Sequence, residues 1–370
     1  MLELHYPMIQ FSIKDEYNTN EILNIMTEKN IFVKGSLPGV GKTTACKNNE
    51  KVFFVSPYNK LCQELKKKGV DAITLNKLLA IGVDDNDQII KMKKYDVSPY
   101  KTIVFNEILL YNPRQLYLIK MFMDNNDKRF HCTGDIDQRK PFTFNCNNIE
   151  NKNDYQLFRL NQIFPDQITL NINKRLKNES DKITLNNLKK YIFNLNKKPI
   201  DVLRNHAIKI INKLNSVKTT RNICLFNFRC DQVNNHVSKN IINKEGFYKG
   251  LEIVCKLHYK TSKTRLYVNY HYVIESIDDK NVTIIEPVDN INIALTIDKL
   301  KKHFKVPYAN TCDRVQGLSL GEKIRIFDCN TPYVDRYYIW TALTRAKDLK
   351  NVQVFEHSSQ EVMSLRKSWG

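Results

Sequence analysis

The sequence has little of what marks fibrous, secreted or membrane proteins. Its 370 residues include only 11 glycines and 11 prolines, which excludes collagen-like and low-complexity chains. No run approaches the roughly 18 apolar residues that a membrane-spanning helix requires. The N-terminal residues lack the basic segment followed by an apolar segment that forms a signal peptide. We therefore expect a soluble, intracellular protein that is not secreted and has no membrane partner.

The nine cysteines are scattered and form no CxxC pair. A zinc ribbon needs such pairs at fixed spacing, so this class of site is not supported. An odd number of dispersed cysteines also argues against a disulfide framework. We expect most of them to be buried thiols in a reducing compartment.

Negative charge is in short supply. The chain has 39 Asp and Glu against 58 Lys and Arg, which gives a formal net charge of +19. Such an excess favours a polyanionic partner such as nucleic acid. However, the chain is also rich in Asn, Lys and Ile, as proteins from AT-rich genomes are. Charge alone therefore leaves both explanations open.

Short apolar runs alternate with helical patterns through the first half of the chain. Strands are predicted at 31–33, 52–55, 72–74, 102–105, 130–133 and 167–170, and helices from about 42, over 59–68 and over 182–215. Strands separated by helices predict βαβ units and a parallel sheet. A second α/β region follows, with strands predicted at 223–228, 324–327 and 352–355. The length is sufficient for two or three domains.

Residues 250–305 have a different pattern. β-Branched and aromatic residues alternate there with polar ones, and turn signals such as Asp278-Asp279 and Asp289-Asn290 separate the runs. This pattern predicts a small antiparallel β-barrel inserted into the second α/β region.

The sharpest motif is SLPGVGKT at 36–43, which follows a predicted strand and opens a predicted helix. A glycine-rich loop lets backbone N–H groups converge on a triphosphate, and the helix N-terminus favours negative charge. Lys42 would reach the β- and γ-phosphates, and the hydroxyl of Thr43 would bind Mg²⁺. The predicted nucleotide-binding residues are Ser36, Gly39, Val40, Gly41, Lys42, Thr43 and Thr44.

Two polar residues follow the predicted strand 102–105. Glu107 can orient an attacking water, as nucleotide hydrolysis requires. Asn106 stands where a magnesium-binding aspartate is expected, and its amide oxygen carries no negative charge. We therefore predict weaker Mg²⁺ binding and slower turnover.

An ordered series of motifs resembles the superfamily 1 helicases over nearly the whole chain. The motifs are SLPGVGKT, VFNE (104–107), GDIDQRKP (134–141), LNINKR (170–175), TCDRVQGLSL (311–320) and YIWTALTRAKD (338–348), with further similarity at SPYNK (56–60) and TLNKLL (74–79). The family usually has His-Lys-Ser where this chain has Asp313-Arg314-Val315, and Arg314 keeps the positive charge of this segment.

The resemblance implies an α/β fold of two tandem RecA-like parallel-sheet domains with ATP and Mg²⁺ between them. Domain 1 is predicted at 1–165, with a small insertion at about 81–100. Domain 2 is predicted at 166–249 and 306–370. The inserted β-barrel at 250–305 looks like the SH3-like module of RecD-like and Dda-like helicases, which typically move 5′→3′ on DNA.

The resemblance also implies roles for individual residues. Gln138 would sense the γ-phosphate, Arg175 and Arg345 would be arginine fingers, and Gln316-Gly317 would couple the nucleotide to the bound strand. The predicted nucleic-acid contacts are Pro57, Asn59, Lys60, Thr74, Asn76, Lys77, Thr311, Arg314 and Gln316.

The expected activity is a nucleic-acid-stimulated ATPase that translocates on single-stranded DNA, in the cytoplasm or at a replication site. A larger replication or repair assembly is compatible with it. Three alternatives remain open: an RNA helicase of the same superfamily, a weakened ATP-binding clamp because of Asn106, and a P-loop kinase or GTPase. The last is disfavoured because such enzymes need neither a second α/β domain nor the arginine of TALTRA.

Overall fold

The computed structural model describes residues 30–35, 37–47, 51–83, 89–91, 94–138, 160–176, 178–194, 199–206, 208–213, 220–245, 247–257, 259–260, 265–288, 290–320, 323–358 and 361. These residues belong to two compact units. Unit 1 comprises Met1–Phe53, Asp96–Ile136 and Phe142–Lys174, and unit 2 comprises Phe54–Tyr95, Asp137–Pro141 and Arg175–Gly370. The domain boundaries expected from the sequence stay a prediction.

The described strands are short, and most are buried. They are β1 (Ile31–Gly35), β2 (Val52–Ser56), β3 (Ala72–Thr74), β4 (Ile81–Val83), β5 (Ile89–Lys91), β6 (Thr102–Phe105), β7 (Arg129–Asp135), β8 (Asp166–Leu170), β9 (Lys209–Ile211), β10 (Thr220–Cys224), β11 (Glu252–Cys255), β12 (Tyr259–Lys260), β13 (Arg265–Leu266), β14 (His271–Ile277), β15 (Asn281–Glu286), β16 (Ile291–Thr296), β17 (Phe304–Lys305), β18 (Ala309–Thr311), β19 (Lys323–Ile326) and β20 (Val352–Phe355).

The described α-helices connect these strands. They are α1 (Lys42–Lys47), α2 (Asn59–Lys66), α3 (Leu75–Leu78), α4 (Pro113–Asp124), α5 (Glu179–Ile192), α6 (Pro199–Asn205), α7 (Asn227–Glu245), α8 (Ile297–His303), α9 (Cys312–Val315) and α10 (Arg336–Leu343). Short 3₁₀-helices cover Ile108–Leu110 and Leu349–Asn351.

Unit 1 contains four strands that pair in parallel in the order β6-β7-β1-β8. Val33 of β1 lies opposite Thr133 of β7 on one side and opposite Ile168 of β8 on the other. Most residues of β1, β6 and β7 are buried, as expected for a parallel sheet covered on both faces, whereas β8 is largely half-buried. Because the strands are parallel, their carboxyl ends meet at one edge, and that edge carries the candidate site.

Unit 2 contains two five-stranded sheets and the parallel pair β2-β3. One sheet is parallel in the order β18-β10-β19-β20-β9, and the other is antiparallel in the order β16-β15-β14-β11-β17. The antiparallel sheet shares one apolar core with α7, through buried residues such as Val233 and Val237. The alternation over 250–305 thus predicts antiparallel strands correctly, and the SH3-like assignment stays a prediction.

The structure corrects two expectations about secondary structure. The helical pattern over 182–215 is interrupted, because α5 ends at Ile192, α6 covers Pro199–Asn205 and the strand β9 follows. The strand predicted at 223–228 ends at Cys224, and helix α7 begins at Asn227. The aromatic rings of Phe226 and Phe228 stack with their centroids 5.3 Å apart at this transition. The alternation of these two residues, which resembles a strand pattern, therefore reflects packing at the start of α7.

Eight of the nine cysteines lie in the described part, and each is a buried free thiol, as expected. Burial raises the pKa of the Cys62 thiol to about 12. In the same part of the chain, no helix combines the length and apolar character needed to cross a membrane.

Candidate functional site

The loop after β1 has a backbone that only glycine adopts easily. Gly39 and Gly41 have φ angles of 75° and 88°, in the left-handed region that disfavours side chains. A Cβ atom at Gly35 would lie only 2.8 Å from the carbonyl oxygen of Leu37 and 3.0 Å from Lys42 Nζ. Ser36 lies outside the described residues. The glycines therefore allow the tight turn that an anion-binding loop needs.

Hydrogen bonds within unit 1 hold the loop carbonyls. The Gly39 oxygen accepts a bond of 2.9 Å from the Lys174 amide, and the Pro38 oxygen accepts one of 2.8 Å from Asn173 Nδ2. Val40 is buried, Thr43 is half-buried and Thr44 is exposed. The loop is therefore held in shape by contacts within its own unit.

Lys42 begins α1 and is only 8% exposed. Its Nζ lies 3.8 Å from Asp135 Oδ2, and Asp135 is 2% exposed at the end of β7. Gly35 and Asp135 are register partners at the ends of paired parallel strands. A buried ammonium and a buried carboxylate thus face each other beside the loop, where a phosphate and its metal could exchange with this ion pair.

Asp135 is a site residue that the sequence prediction missed. Its signal was its place at the end of a buried strand, in GDIDQ. A negative charge is therefore present at this edge although Asn106 supplies none.

Thr133 joins the two polar residues that follow β6. Its Oγ1 donates to Asn106 Oδ1 over 3.0 Å and accepts from the Glu107 amide over 3.2 Å. Glu107 is 8% exposed and has φ 52° and ψ 52°, a left-handed conformation that costs a non-glycine residue about 1–3 kcal/mol. Backbone strain of this kind is typical of functional sites. Unit 1 thus brings the loop, Asn106, Glu107 and Asp135 to one sheet edge.

The donor atoms at this edge suit a magnesium ion that arrives with phosphate. Among the described residues, no group of three or more His, Cys, Asp and Glu side chains is placed to hold a metal. Mg²⁺ needs no such group in nucleotide sites, because phosphates and waters supply most of its ligands. The Thr43 hydroxyl and the Asn106 amide oxygen are ligands of the required kind.

The two predicted arginine fingers are both bound to Thr344, within unit 2. Arg175 Nη1 donates to the Thr344 carbonyl over 2.5 Å. Arg345 is 1% exposed and donates to Thr344 Oγ1 over 3.1 Å, to the Thr341 carbonyl over 2.9 Å and to the Leu318 carbonyl over 3.1 Å. The structure therefore brings these two guanidinium groups together, and their role at a phosphate stays a prediction.

Three further predicted residues also lie in unit 2. Gln138 is 3% exposed, and its neighbour Asp137 pairs with Lys189 over 2.5 Å. Gln316 is 1% exposed, and Gly317 has a φ of 78°. Their proposed coupling to a nucleotide stays a prediction.

Unit 2 contains a cavity of about 510 Å³ that brings together three of the predicted nucleic-acid contacts. These are Lys60, Thr311 and Arg314. The charged residues of its lining are Lys60, Arg221 and Arg314 on the positive side, and Glu64, Glu252 and Asp313 on the negative side. The cavity is therefore electrically balanced when all six are ionised.

Glu252 is the centre of a charged cluster at this cavity. Arg221 Nη2 lies 2.9 Å from its Oε2, and His271 Nδ1 donates to its Oε1 over 2.6 Å. Lys60 Nζ lies 3.7 Å from the same Oε1 and 3.6 Å from Glu64 Oε1. Lys60 is thus engaged with carboxylates in this structure.

Two opposing effects set the pKa of the Glu252 carboxyl. Burial raises this pKa. The hydrogen bond from His271 and the positive charges of Arg221 and Lys60 lower it by a larger amount, so the net pKa lies well below its usual range. Burial lowers the pKa of His271, and the hydrogen bond to Glu252 only partly offsets this. Burial likewise lowers the pKa of Lys60, against the raising effect of Glu252 and Glu64.

Helix α2 is attached to the antiparallel sheet by polar side chains. Asn59 Nδ2 donates to the Val268 carbonyl over 3.3 Å. Gln63 Nε2 donates to the His271 carbonyl over 3.1 Å and to Glu286 Oε1 over 3.0 Å. The predicted contact residue Asn59 thus also holds the β insertion.

The remaining predicted contacts differ in exposure. Pro57 and Thr74 are half-buried, whereas Asn76 and Lys77 are exposed on α3. Thr311 is 7% exposed. Their contact with nucleic acid stays a prediction.

Comparisons of the sequence find no matching protein-family model. A search of curated proteins finds no significant match either.

Comparison of the structure finds clear similarity to solved helicase structures. Pif1 helicase from Bacteroides in complex with ADP-AlF3 and ssDNA matches with a TM-score of 0.61 and 15% identity, over 97% of this chain and 99% of that one. Bacteroides Pif1 bound to ssDNA matches with a TM-score of 0.61 and 14% identity, over 97% of each chain. Pif1 helicase from Candida albicans matches with a TM-score of 0.55 and 14% identity, over 95% of this chain and 98% of that one.

These matches cover nearly the whole chain at low sequence identity, so what they show is the fold. The predicted fold class is confirmed: the protein has the mixed α/β, tandem RecA-like fold of the Pif1 helicases.

Proposed function

We propose that the protein is an ATP-dependent helicase or translocase of single-stranded nucleic acid, with DNA as the favoured substrate and 5′→3′ as the direction. The observation that carries the proposal is the phosphate loop with Lys42 beside Asp135, at the sheet edge that also carries Asn106 and Glu107. The tandem RecA-like fold supports it, because solved structures of that fold include a helicase with ADP-AlF3 and ssDNA.

The loop and Lys42 bind the triphosphate in this proposal. Backbone N–H groups of Gly39 and Gly41 face the phosphates, and Lys42 exchanges its contact with Asp135 for the β- and γ-phosphate oxygens. Thr43 and Asn106 would hold a magnesium ion, and the chemistry that such an ion supplies when bound is neutralisation of charge on the phosphates. The strained backbone of Glu107 presents its carboxylate for orienting water.

Arg175 and Arg345 act on the transferred phosphoryl group in this proposal, and Gln138 senses the γ-phosphate. An arginine that contacts the negative charge developing in the transition state raises the rate by about 10³–10⁵-fold. Both arginines are held by Thr344, so a movement of that residue would move both. Gln316 and Gly317 would transmit the nucleotide state to the strand.

Single-stranded nucleic acid lies along unit 2 in this proposal. The cavity residues Lys60, Thr311 and Arg314 contact phosphates, and the remaining contacts are Pro57, Asn59, Thr74, Asn76, Lys77 and Gln316. Such contacts fix position without reading the sequence. The net charge of +19 is consistent with this partner.

The RecD-like and Dda-like branch, and with it the 5′→3′ direction, is favoured by the antiparallel insertion in the second half of the chain. An RNA helicase of the same superfamily is the alternative substrate assignment. Membership of a larger replication or repair assembly is compatible with both the DNA and the RNA assignment.

One observation favours a second candidate function, a weakly hydrolysing clamp that binds ATP and nucleic acid. Asn106 is neutral, and its side-chain oxygen already accepts the Thr133 hydroxyl. Asp135 argues against this alternative, because it keeps one carboxylate at the same edge.

Unwinding of matched DNA and RNA duplexes with 5′ or 3′ single-stranded tails tests the proposal. We expect ATP-dependent unwinding of the 5′-tailed DNA duplex. Preference for RNA or for the 3′ tail would correct the substrate or the direction. Binding of the tailed duplexes without unwinding or ATP hydrolysis would support the clamp instead.

A further inference from the structure

The cavity of unit 2 is unusual for a surface that binds a polyanion, because its charged lining sums to zero. Three cationic and three acidic residues line it, although the whole chain carries a net charge of +19. A track for phosphates would normally concentrate positive charge. Some of these acidic residues therefore form ion pairs with the cations that a phosphate track would need.

Glu252 has the geometry of such an occupant. Its two carboxylate oxygens contact different cations, since Arg221 meets Oε2 over 2.9 Å and Lys60 meets Oε1 over 3.7 Å. A phosphodiester also presents two anionic oxygens, and arginine and lysine are the residues that bind them. The carboxylate thus sits between the two cations as a phosphate would.

The cluster is positioned for exchange with an external ligand. The side chains of Lys60, Arg221 and Glu252 are 17%, 23% and 31% exposed, so they are reachable from the cavity. Lys60 belongs to α2 and Glu252 to β11, whereas Arg221 belongs to β10. Three separate elements therefore meet at this one point.

We infer that Lys60 and Arg221 form a phosphate-binding pair for single-stranded nucleic acid, and that Glu252 occupies this pair in its absence. The inference rests on the proposed function and adds Arg221 and Glu252 to it. Glu252 limits affinity, because each binding event must break its ion pairs. A strand held this way is released more readily, which suits a protein that moves along it.

Replacing the carboxylate without changing its shape tests the inference. Glu252→Gln keeps the size of the side chain and one acceptor oxygen, for either Arg221 or His271, and it removes the competing charge. The matched control is Glu275→Gln, which removes a charge from the same sheet, where Glu275 pairs with the exposed Lys249. Binding of a fluorescent oligothymidylate without nucleotide is measured by anisotropy over a salt series, and circular dichroism verifies folding.

We expect Glu252→Gln to bind about threefold or more tightly than the control, as one half-buried ion pair implies. The dependence of log K on log salt should steepen by about 0.7, the value for one more neutralised phosphate on a single strand. Arg221→Gln, in contrast, should bind more weakly than the wild type.

The possible failures separate this inference from the proposed function. If the wild type and the control bind single-stranded DNA and Glu252→Gln binds it no more tightly than the control, the inference is overturned and the proposed function is not. If no variant binds DNA or RNA, both are overturned. If Glu252→Gln does not fold, Glu64→Gln releases Lys60 from its other carboxylate, and it must show a smaller gain in affinity for the inference to stand.

Discussion

Arg175 donates a hydrogen bond to the carbonyl oxygen of Thr344 over 2.5 Å, and the hydroxyl of the same threonine accepts from the buried Arg345. The two guanidinium groups with proposed roles in hydrolysis therefore depend on one residue directly after α10. Both contacts lie within unit 2.

Arg175→Lys should lower ATP turnover at saturating ATP by about 10² or more, because lysine keeps the charge but lacks the planar fork. Binding of single-stranded DNA should change little. The matched control is Arg204→Lys, whose side chain is 43% exposed and pairs with Asp201 and Glu356. Turnover equal to the control would remove Arg175 from the mechanism and would favour a kinase-like or GTPase-like reaction.

Lys42→Ala should reduce ATP hydrolysis by at least about 10²-fold, since a cation at a developing phosphoryl charge is worth that much. It should leave nucleic-acid binding intact, because Lys42 belongs to unit 1 and the cavity residues belong to unit 2. Lys47→Ala at the exposed end of α1 is the control. Steady-state phosphate release measures both, and equal rates would contradict the assignment of the loop.

Asn106→Asp should lower the Mg²⁺ concentration that gives half-maximal ATP hydrolysis, because it adds a carboxylate to the sheet edge that carries Asp135. The Thr133 hydroxyl can still donate to the new side chain, so the geometry should be kept. Asn125→Asp, at an exposed position after α4, adds the same charge elsewhere. A magnesium titration of phosphate release compares the two, and an unchanged midpoint would mean that Asn106 does not approach the metal.

The free energy of unfolding should depend on pH through the Glu252 carboxyl. Its pKa in the folded protein lies well below the value of about 4.3 for an unfolded glutamate. Its ionised form therefore stabilises the fold above the unfolded pKa, and this contribution is lost as the pH falls toward the folded pKa. Glu252→Gln should be less stable than the wild type at neutral pH, and the gap should narrow below about pH 5. Urea unfolding across this range measures the gap, and a gap independent of pH would contradict the role of this carboxylate.

Local signals allowed several elements of both units to be predicted. The bounds of β6 and β20 agree with the sequence prediction, and so does the start of α1 at Lys42. These elements are short, strongly apolar runs or begin at a motif with its own backbone requirement, so neighbouring residues determine them.

The errors arose where distant contacts decide the structure. The lysine- and asparagine-rich segment after Ile192 carries little apolar periodicity, and its strand β9 is defined by parallel pairing with β20. Asp135 and Glu252 were missed for the same reason. Their partners Lys42 and Arg221 are remote in sequence, and only the folded chain places them together.

The most direct test of the proposed function is the rate of ATP hydrolysis by the wild-type protein with and without single-stranded DNA. The proposal predicts that saturating oligothymidylate raises turnover at least about tenfold, which corresponds to an activation barrier that is lower by about 1.4 kcal/mol. An unchanged rate, measured under conditions where the same DNA is demonstrably bound, would contradict it.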